Sequence, residues 1–189
     1  MRCLVTGHTK GIGLAIYQGL VAQGFSVDGI SRGTNYDIST EYSLILSQAV
    51  NYDLVVNNAY HPEYQIKLLE DLAGKVKNII SIGSVAGYYS EIVTKKHQYT
   101  ASKKKLIELN KRLSYQPNSN LLLINVGLAE NASADFGCSY QDIVDTCLFW
   151  IKHPNIHQID FKVPLTDLNV SLIEADFGIS LSDHQGKFF

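Results

Sequence analysis

The chain has 189 residues, 46% of them hydrophobic and 18% charged, and a formal net charge of −2. That length suits one domain with a real core, and the near-neutral charge excludes the basic footprint of a nucleic-acid binder. No apolar run reaches the length of a membrane span, and the first residues enter a strand with no leader-like segment before it. Three scattered cysteines (Cys3, Cys138 and Cys147) argue against a disulfide framework and point to a reducing, cytoplasmic setting.

Arg2-Cys3-Leu4-Val5 reads as a short buried strand. Residues 6–13 follow as a glycine-rich turn, Thr6-Gly7-His8-Thr9-Lys10-Gly11-Ile12-Gly13. Leu14-Ala15-Ile16 opens a helix expected to run to about Gln23 and to stop at Gly24. A strand feeding a tight turn aims the unpaired N–H groups of the helix at whatever lies on the turn. An anion fits there, above all a pyrophosphate. Residues 25–30 form a second strand. Tyr36-Asp37-Ile38 is expected to be a very short third strand, with too few residues before it for a helical crossover. Ser39 or Thr40 is expected to cap a helix through about Val50. Next come a strand over 53–56, a helix over 63–73 closed by Gly74, and a strand over 77–82. A loop rich in Gly, Ser and Tyr spans 83–96, and a helix spans about 97–114. A strand over 121–126, a helix over 140–152 and a last strand over 156–163 complete the pattern. Residues 166–189 show no clear period.

Strands built of Val, Ile and Leu that alternate with helices predict a doubly wound α/β domain spanning 1–189. Its sheet is mostly parallel, with helices on both faces. Ligands bind such sheets beyond the carboxyl ends of the strands, at the point where strand order reverses. The glycine turn sits there. His153 and His157 are four apart, but Pro154 between them spoils a helix, so they read as an ordinary loop and no metal is expected.

Tyr99 and Lys103 share one face of a predicted helix. With eleven tyrosines in the chain the spacing alone is common, so position has to argue for it. It does: Ser81-Ile82-Gly83-Ser84 ends the strand just upstream. A tyrosine beside an ammonium can give up its proton near neutral pH and serve as general acid or base at a carbonyl or alcohol.

Thr6-Gly7-x-x-x-Gly11-Ile12-Gly13, Asn57-Asn58-Ala59, Ser84 and Tyr99-x-x-x-Lys103 occur in an order that resembles the short-chain dehydrogenase/reductase family. The resemblance covers residues 1 to about 127. It implies a Rossmann fold and hydride transfer between a nicotinamide cofactor and a small carbonyl or alcohol. It implies that Tyr99 exchanges the proton with the substrate oxygen and that Ser84 orients the carbonyl. Lys103 would hold the nicotinamide ribose and depress the Tyr99 pKa. The implied cofactor-binding set begins with Gly7, Thr9, Lys10, Gly11, Ile12 and Gly13. It continues with Ser31, Arg32, Asp37, Ile38, Asn58 and Ala59, and includes Tyr99 and Lys103. Strand two ends in Ser31-Arg32 with no acid to grip a ribose, and Lys10 is a second cation, so NADP(H) is expected over NAD(H).

The departures are specific. The family's long helical excursion between Asn58 and Ser84 is reduced to one short helix, and with it goes the asparagine of the proton relay. His61 and Gln65 are the candidate substitutes. Tyr60 replaces a glycine and could crowd the cofactor, Asn125-Val126-Gly127 lacks the expected proline, and Asn131 stands near the position of a carboxamide-binding threonine. The lost helix is also commonly an oligomer interface, so a homo-oligomer is expected without assuming the family's tetramer. Phe177, Phe188 and Phe189 could cover the apolar surface it leaves. Two readings stay open: an NADP-dependent oxidoreductase, or a non-catalytic dinucleotide-binding sensor or interaction protein on the same fold.

Overall fold

Branched apolar residues point to both faces of every inner strand, so neither face can be left to water. The computed structural model of the protein describes residues 1–127, 129, 137–162 and 167–178. Among them six strands form one sheet: β1 (Arg2–Thr6), β2 (Ser26–Ile30), β3 (Leu54–Asn57), β4 (Asn78–Ser84), β5 (Asn120–Val126) and β6 (Gln158–Phe161). Their order is β2-β1-β3-β4-β5-β6 and every pair is parallel. This is a Rossmann-type α/β fold, with its switch point between β1 and β3.

The side-chain alternation of the strands sorts the core into two layers. Cys3, Val5, Leu54, Val56, Ile80 and Ile124 face α1 (Gly11–Ala22) and α5 (Tyr140–Lys152), where Ile16, Leu20, Ile143 and Trp150 meet them. Trp150 is fully buried, and its indole N–H donates to the Ile156 carbonyl at 2.7 Å. Leu4, Val55, Ile79 and Leu123 face the other way, towards α2 (Tyr42–Ala49), α3 (Tyr64–Leu72) and α4 (His97–Leu113). Ile45, Leu68, Leu69 and Leu106 close that layer.

A sixth helix, α6 (Asp167–Phe177), forms where the sequence shows no period. Its C-terminal end grips the segment just ahead of α4. The N–H groups of Thr94 and Lys95 both donate to the Phe177 carbonyl at 3.0 Å. The Thr94 hydroxyl donates to Gly178 at 2.6 Å, and Lys95 Nζ donates to Ala175 at 2.8 Å. Lys96, in the left-handed region at φ 56°, pairs with Asp176 at 2.6 Å.

Four local expectations are corrected. Residues 36–38 are not a strand. Asp37 accepts the Ser39 N–H and hydroxyl, which curls the chain into a turn before it can pair with β2. For the same reason α2 starts later, with Glu41 rather than Ser39 or Thr40 ahead of its first residue. β4 continues two residues past Ile82 and delivers Ser84 at its tip, and β6 covers only Gln158–Phe161. Val163, the expected end of that last strand, lies outside the described residues.

Candidate active site

β1 ends at Thr6, whose hydroxyl donates to the Val56 carbonyl at 3.2 Å and accepts the N–H groups of Asn58 and Ala59, each at 2.9 Å. The tips of β1 and β3 are thereby tied together. The Asn58 carboxamide donates to the carbonyls of Thr6 and Gly7 at 3.0 and 3.2 Å, so it fastens the glycine turn. Gly7 takes φ +71°, and a Cβ on Gly13 would stand 2.2 Å from the Gly7 oxygen. Only glycine closes this turn.

The first N–H bonded back into α1 is that of Leu14, to Lys10 at 3.3 Å. The amides of residues 11–13 precede it. No side chain caps this helix end, and its first turn holds no acid. An uncapped positive helix end suits an anionic ligand. In front of it opens a cavity of about 770 Å³. Of the residues expected to bind cofactor, Gly7, Thr9, Lys10, Ser31, Arg32, Asp37, Ile38, Asn58 and Ala59 line it. Ile12 lines a neighbouring cavity, while Gly11 and Gly13 shape the turn without reaching either wall. Asp37 is held below the usual carboxylate range, chiefly by the hydrogen bonds from Ser39 and in part by Arg32. The residues present therefore fit a dinucleotide: an uncapped helix end for the pyrophosphate and two cations at the rim.

The neighbouring cavity, about 310 Å³, shares Asn58 and Tyr60 with the first and is lined by Ser84, Tyr99 and Lys103. Ser84 comes from the tip of β4, and Tyr99 and Lys103 from successive turns of α4. Ser84 Oγ accepts the Ala86 N–H at 3.2 Å, which fixes it at the start of a short 3-10 turn. Burial raises the pKa of the Tyr99 phenol, and hydrogen bonding with Ser84 works against the rise.

Lys103 is 4% exposed, and desolvation lowers its pKa from 10.5 to about 7. Its Nζ donates to Gln65 Oε1 at 2.9 Å and to the Ile82 carbonyl at 3.2 Å, and lies 5.7 Å from the Tyr99 ring centroid. The expected depression of Tyr99 by Lys103 is therefore not found. The amine is desolvated and is aimed at Gln65. Tyr60 packs edge-on against Tyr99 at 5.1 Å, with Lys103 Nζ 5.1 Å from its own ring centroid. It stands between the two cavities.

Of the two candidate substitutes for the relay asparagine, Gln65 hydrogen-bonds Lys103, while His61 lines the larger cavity. His61 Nδ1 accepts the N–H groups of Glu63 and Tyr64 at 3.2 and 3.3 Å, at the start of α3. Gln65 has a sequence signal of its own: with Leu68, Leu69 and Leu72 it falls on the buried face of α3. A polar residue in an apolar stripe needs a polar partner. Thr6 heads the glycine-turn motif, but its bonds to Val56, Asn58 and Ala59 join backbone groups that only the folded sheet brings together. Burial lifts the thiols of Cys3 and Cys147 to about 11 and about 12, far from nucleophilic character. Asn131, Phe188 and Phe189 lie outside the described residues.

No protein-family model matches the sequence, and no curated protein matches it. Solved structures do match. Serine dehydrogenase from Escherichia coli is 19% identical with a TM-score of 0.65, over 88% of this chain and 99% of that one. A putative NAD(P)-dependent gluconate 5-dehydrogenase from Beutenbergia cavernae, with bound NADP, is 15% identical with a TM-score of 0.70, over 85% and 94%. A short-chain dehydrogenase/reductase superfamily protein from Agrobacterium tumefaciens, with bound NAD, is 13% identical with a TM-score of 0.67, over 95% and 84%. The fold of this chain is thus one that short-chain dehydrogenases share across most of their length, with either nicotinamide cofactor bound. At these identities the likeness is one of fold.

Proposed function

We propose that the protein is an oxidoreductase of the short-chain dehydrogenase/reductase kind, with NADP(H) as cofactor, that interconverts a small carbonyl compound and its alcohol. The observation that carries this reading is the meeting of Ser84, Tyr99 and Lys103 on one small cavity that shares Asn58 and Tyr60 with the cavity at the glycine turn. When bound, the nicotinamide supplies or accepts the hydride. The α1 N-terminus receives the pyrophosphate, and Lys10 and Arg32 favour the extra phosphate of NADP(H). Ser84 donates a hydrogen bond to the substrate oxygen. Tyr99 moves the proton at that same oxygen. Its raised pKa keeps the phenol protonated at neutral pH, which suits it as the acid in carbonyl reduction. Lys103 holds the cofactor ribose from the floor of the cavity.

Calorimetric titration with NADPH and NADH tests the cofactor half. Tight NADPH binding that Lys10→Ala/Arg32→Ala loses supports the reading; equal affinity for the two cofactors, unchanged in the double variant, sinks the NADP assignment. A second reading, a non-catalytic dinucleotide-binding sensor, is favoured by Tyr60, whose ring packs on Tyr99 at the border of the cavities. Absence of turnover on a carbonyl panel, with cofactor bound, would decide for it. A cytoplasmic location and a homo-oligomer belong to the same proposal. Among the described residues, no helix is long and apolar enough to cross a membrane.

A further inference from the structure

Four polar groups from four elements meet beneath the smaller cavity. Gln65 Nε2 donates to the carbonyls of Ile82 (2.9 Å) and Asn57 (3.1 Å). The Asn57 carboxamide returns a bond to the Gln65 backbone carbonyl at 2.8 Å. Lys103 Nζ donates to Gln65 Oε1 and also to Ile82, so the Ile82 carbonyl accepts from both side chains. Gln65 is 2% exposed, Asn57 0% and Lys103 4%. The carboxamide can sit only one way round. Turned over, its oxygen would face two carbonyl oxygens and its NH₂ would face an amine, and three hydrogen bonds would be lost.

We infer that Gln65 is a positioning residue of the site: its side-chain oxygen, locked by the bonds its own NH₂ makes to Asn57 and Ile82, fixes the Lys103 amine and favours its protonated form. The titratable side chains facing the amine are Tyr60 and Tyr99, with Nζ 5.1 and 5.7 Å from their ring centroids. Both present ring faces or edges rather than a carboxylate. Gln65 is thus the one side-chain oxygen hydrogen-bonded to the amine among the described residues. A buried ammonium depends on such acceptors for most of what it loses on leaving water. For catalysis the inference rests on the oxidoreductase reading above; for the contact itself it does not.

The test is NMR on the free protein, which needs neither cofactor nor substrate. With ¹³Cε-labelled lysine, Lys103 should titrate near neutrality, and the Gln65 side-chain NH₂ signals should shift with the same midpoint. That measurement uses wild type alone, so it stands even if variants fold poorly. In Gln65→Met, which keeps the volume and removes the oxygen, the Lys103 midpoint should fall by about one pH unit, a tenfold weaker hold on the proton. Gln65 signals that ignore the Lys103 titration, or a midpoint in Gln65→Met equal to wild type, would overturn the inference. A merely structural Gln65 would lower stability and leave the midpoint alone. If the NMR coupling is seen and no carbonyl is reduced, the oxidoreductase reading fails and this one survives. If turnover depends on Tyr99 and the coupling is missing, the reverse holds.

Discussion

Replacing Lys103 by methionine should make the protein more stable at neutral pH and less stable in alkali. Unfolded, the amine titrates near 10.5; folded, burial brings it to about 7. Between those values the folded state binds fewer protons, so the lysine's penalty is full below pH 7 and fades as pH rises towards 10.5. At about 1.4 kcal/mol per pH unit, the penalty is about 4 kcal/mol at pH 7 and under about 1 kcal/mol at pH 10. Methionine removes it, but leaves Gln65 Oε1 without its donor, which costs about 1–3 kcal/mol. The net expectation is a gain of about 1–3 kcal/mol at pH 7 and a loss of up to about 2 kcal/mol at pH 10. Urea unfolding of both proteins at half-unit pH steps measures the difference, and every other titrating group cancels in it. A difference that stays flat from pH 6 to pH 10 would refute the assignment of a desolvated, near-neutral amine. Such a lysine is a standing cost in stability.

Tyr99→Phe should remove carbonyl reduction by at least about a hundredfold while leaving the NADPH dissociation constant within about threefold, read by steady-state kinetics and calorimetry. Gly13→Ala places a methyl 2.2 Å from the Gly7 oxygen and 2.4 Å from Asn58 Nδ2. It should destabilise the fold by about 2 kcal/mol or more and abolish dinucleotide binding, seen by thermal unfolding and titration. Trp150→Ala empties the largest buried side chain and strands the Ile156 carbonyl, so a loss of about 3–5 kcal/mol is expected in denaturant unfolding.

The strands and helices were legible because their periods are clean: Leu54-Val55-Val56 can only be a strand buried on both sides, and Leu68, Leu69 and Leu72 mark one helix face. The glycine turn was legible because each glycine there answers a steric demand. Residues 36–38 misled because their apolar character suggests extension, while the outcome was decided by one side chain, Asp37, bonding its own neighbours. Helix α6 was not legible because its stability comes from the bonds of its far end to residues 94–96, a partner that no local pattern announces. The Lys103 environment lay between these cases. The Tyr99–Lys103 spacing predicts proximity. It does not predict that the amine turns towards Gln65, which depends on two carbonyls at the ends of β3 and β4.

The grip of residues 175–178 on residues 94–96 sets an order of assembly. The larger cavity is lined by residues between 6 and 61, an early stretch of the chain. The segment just ahead of the helix bearing Tyr99 is bonded to one made some eighty residues later. A nascent chain halted before α6 thus already holds the residues of the larger cavity while the segment ahead of α4 still lacks these bonds. Hydrogen exchange on stalled chains would show protection arriving at β1 and α1 first, and at residues 94–99 only once α6 has emerged.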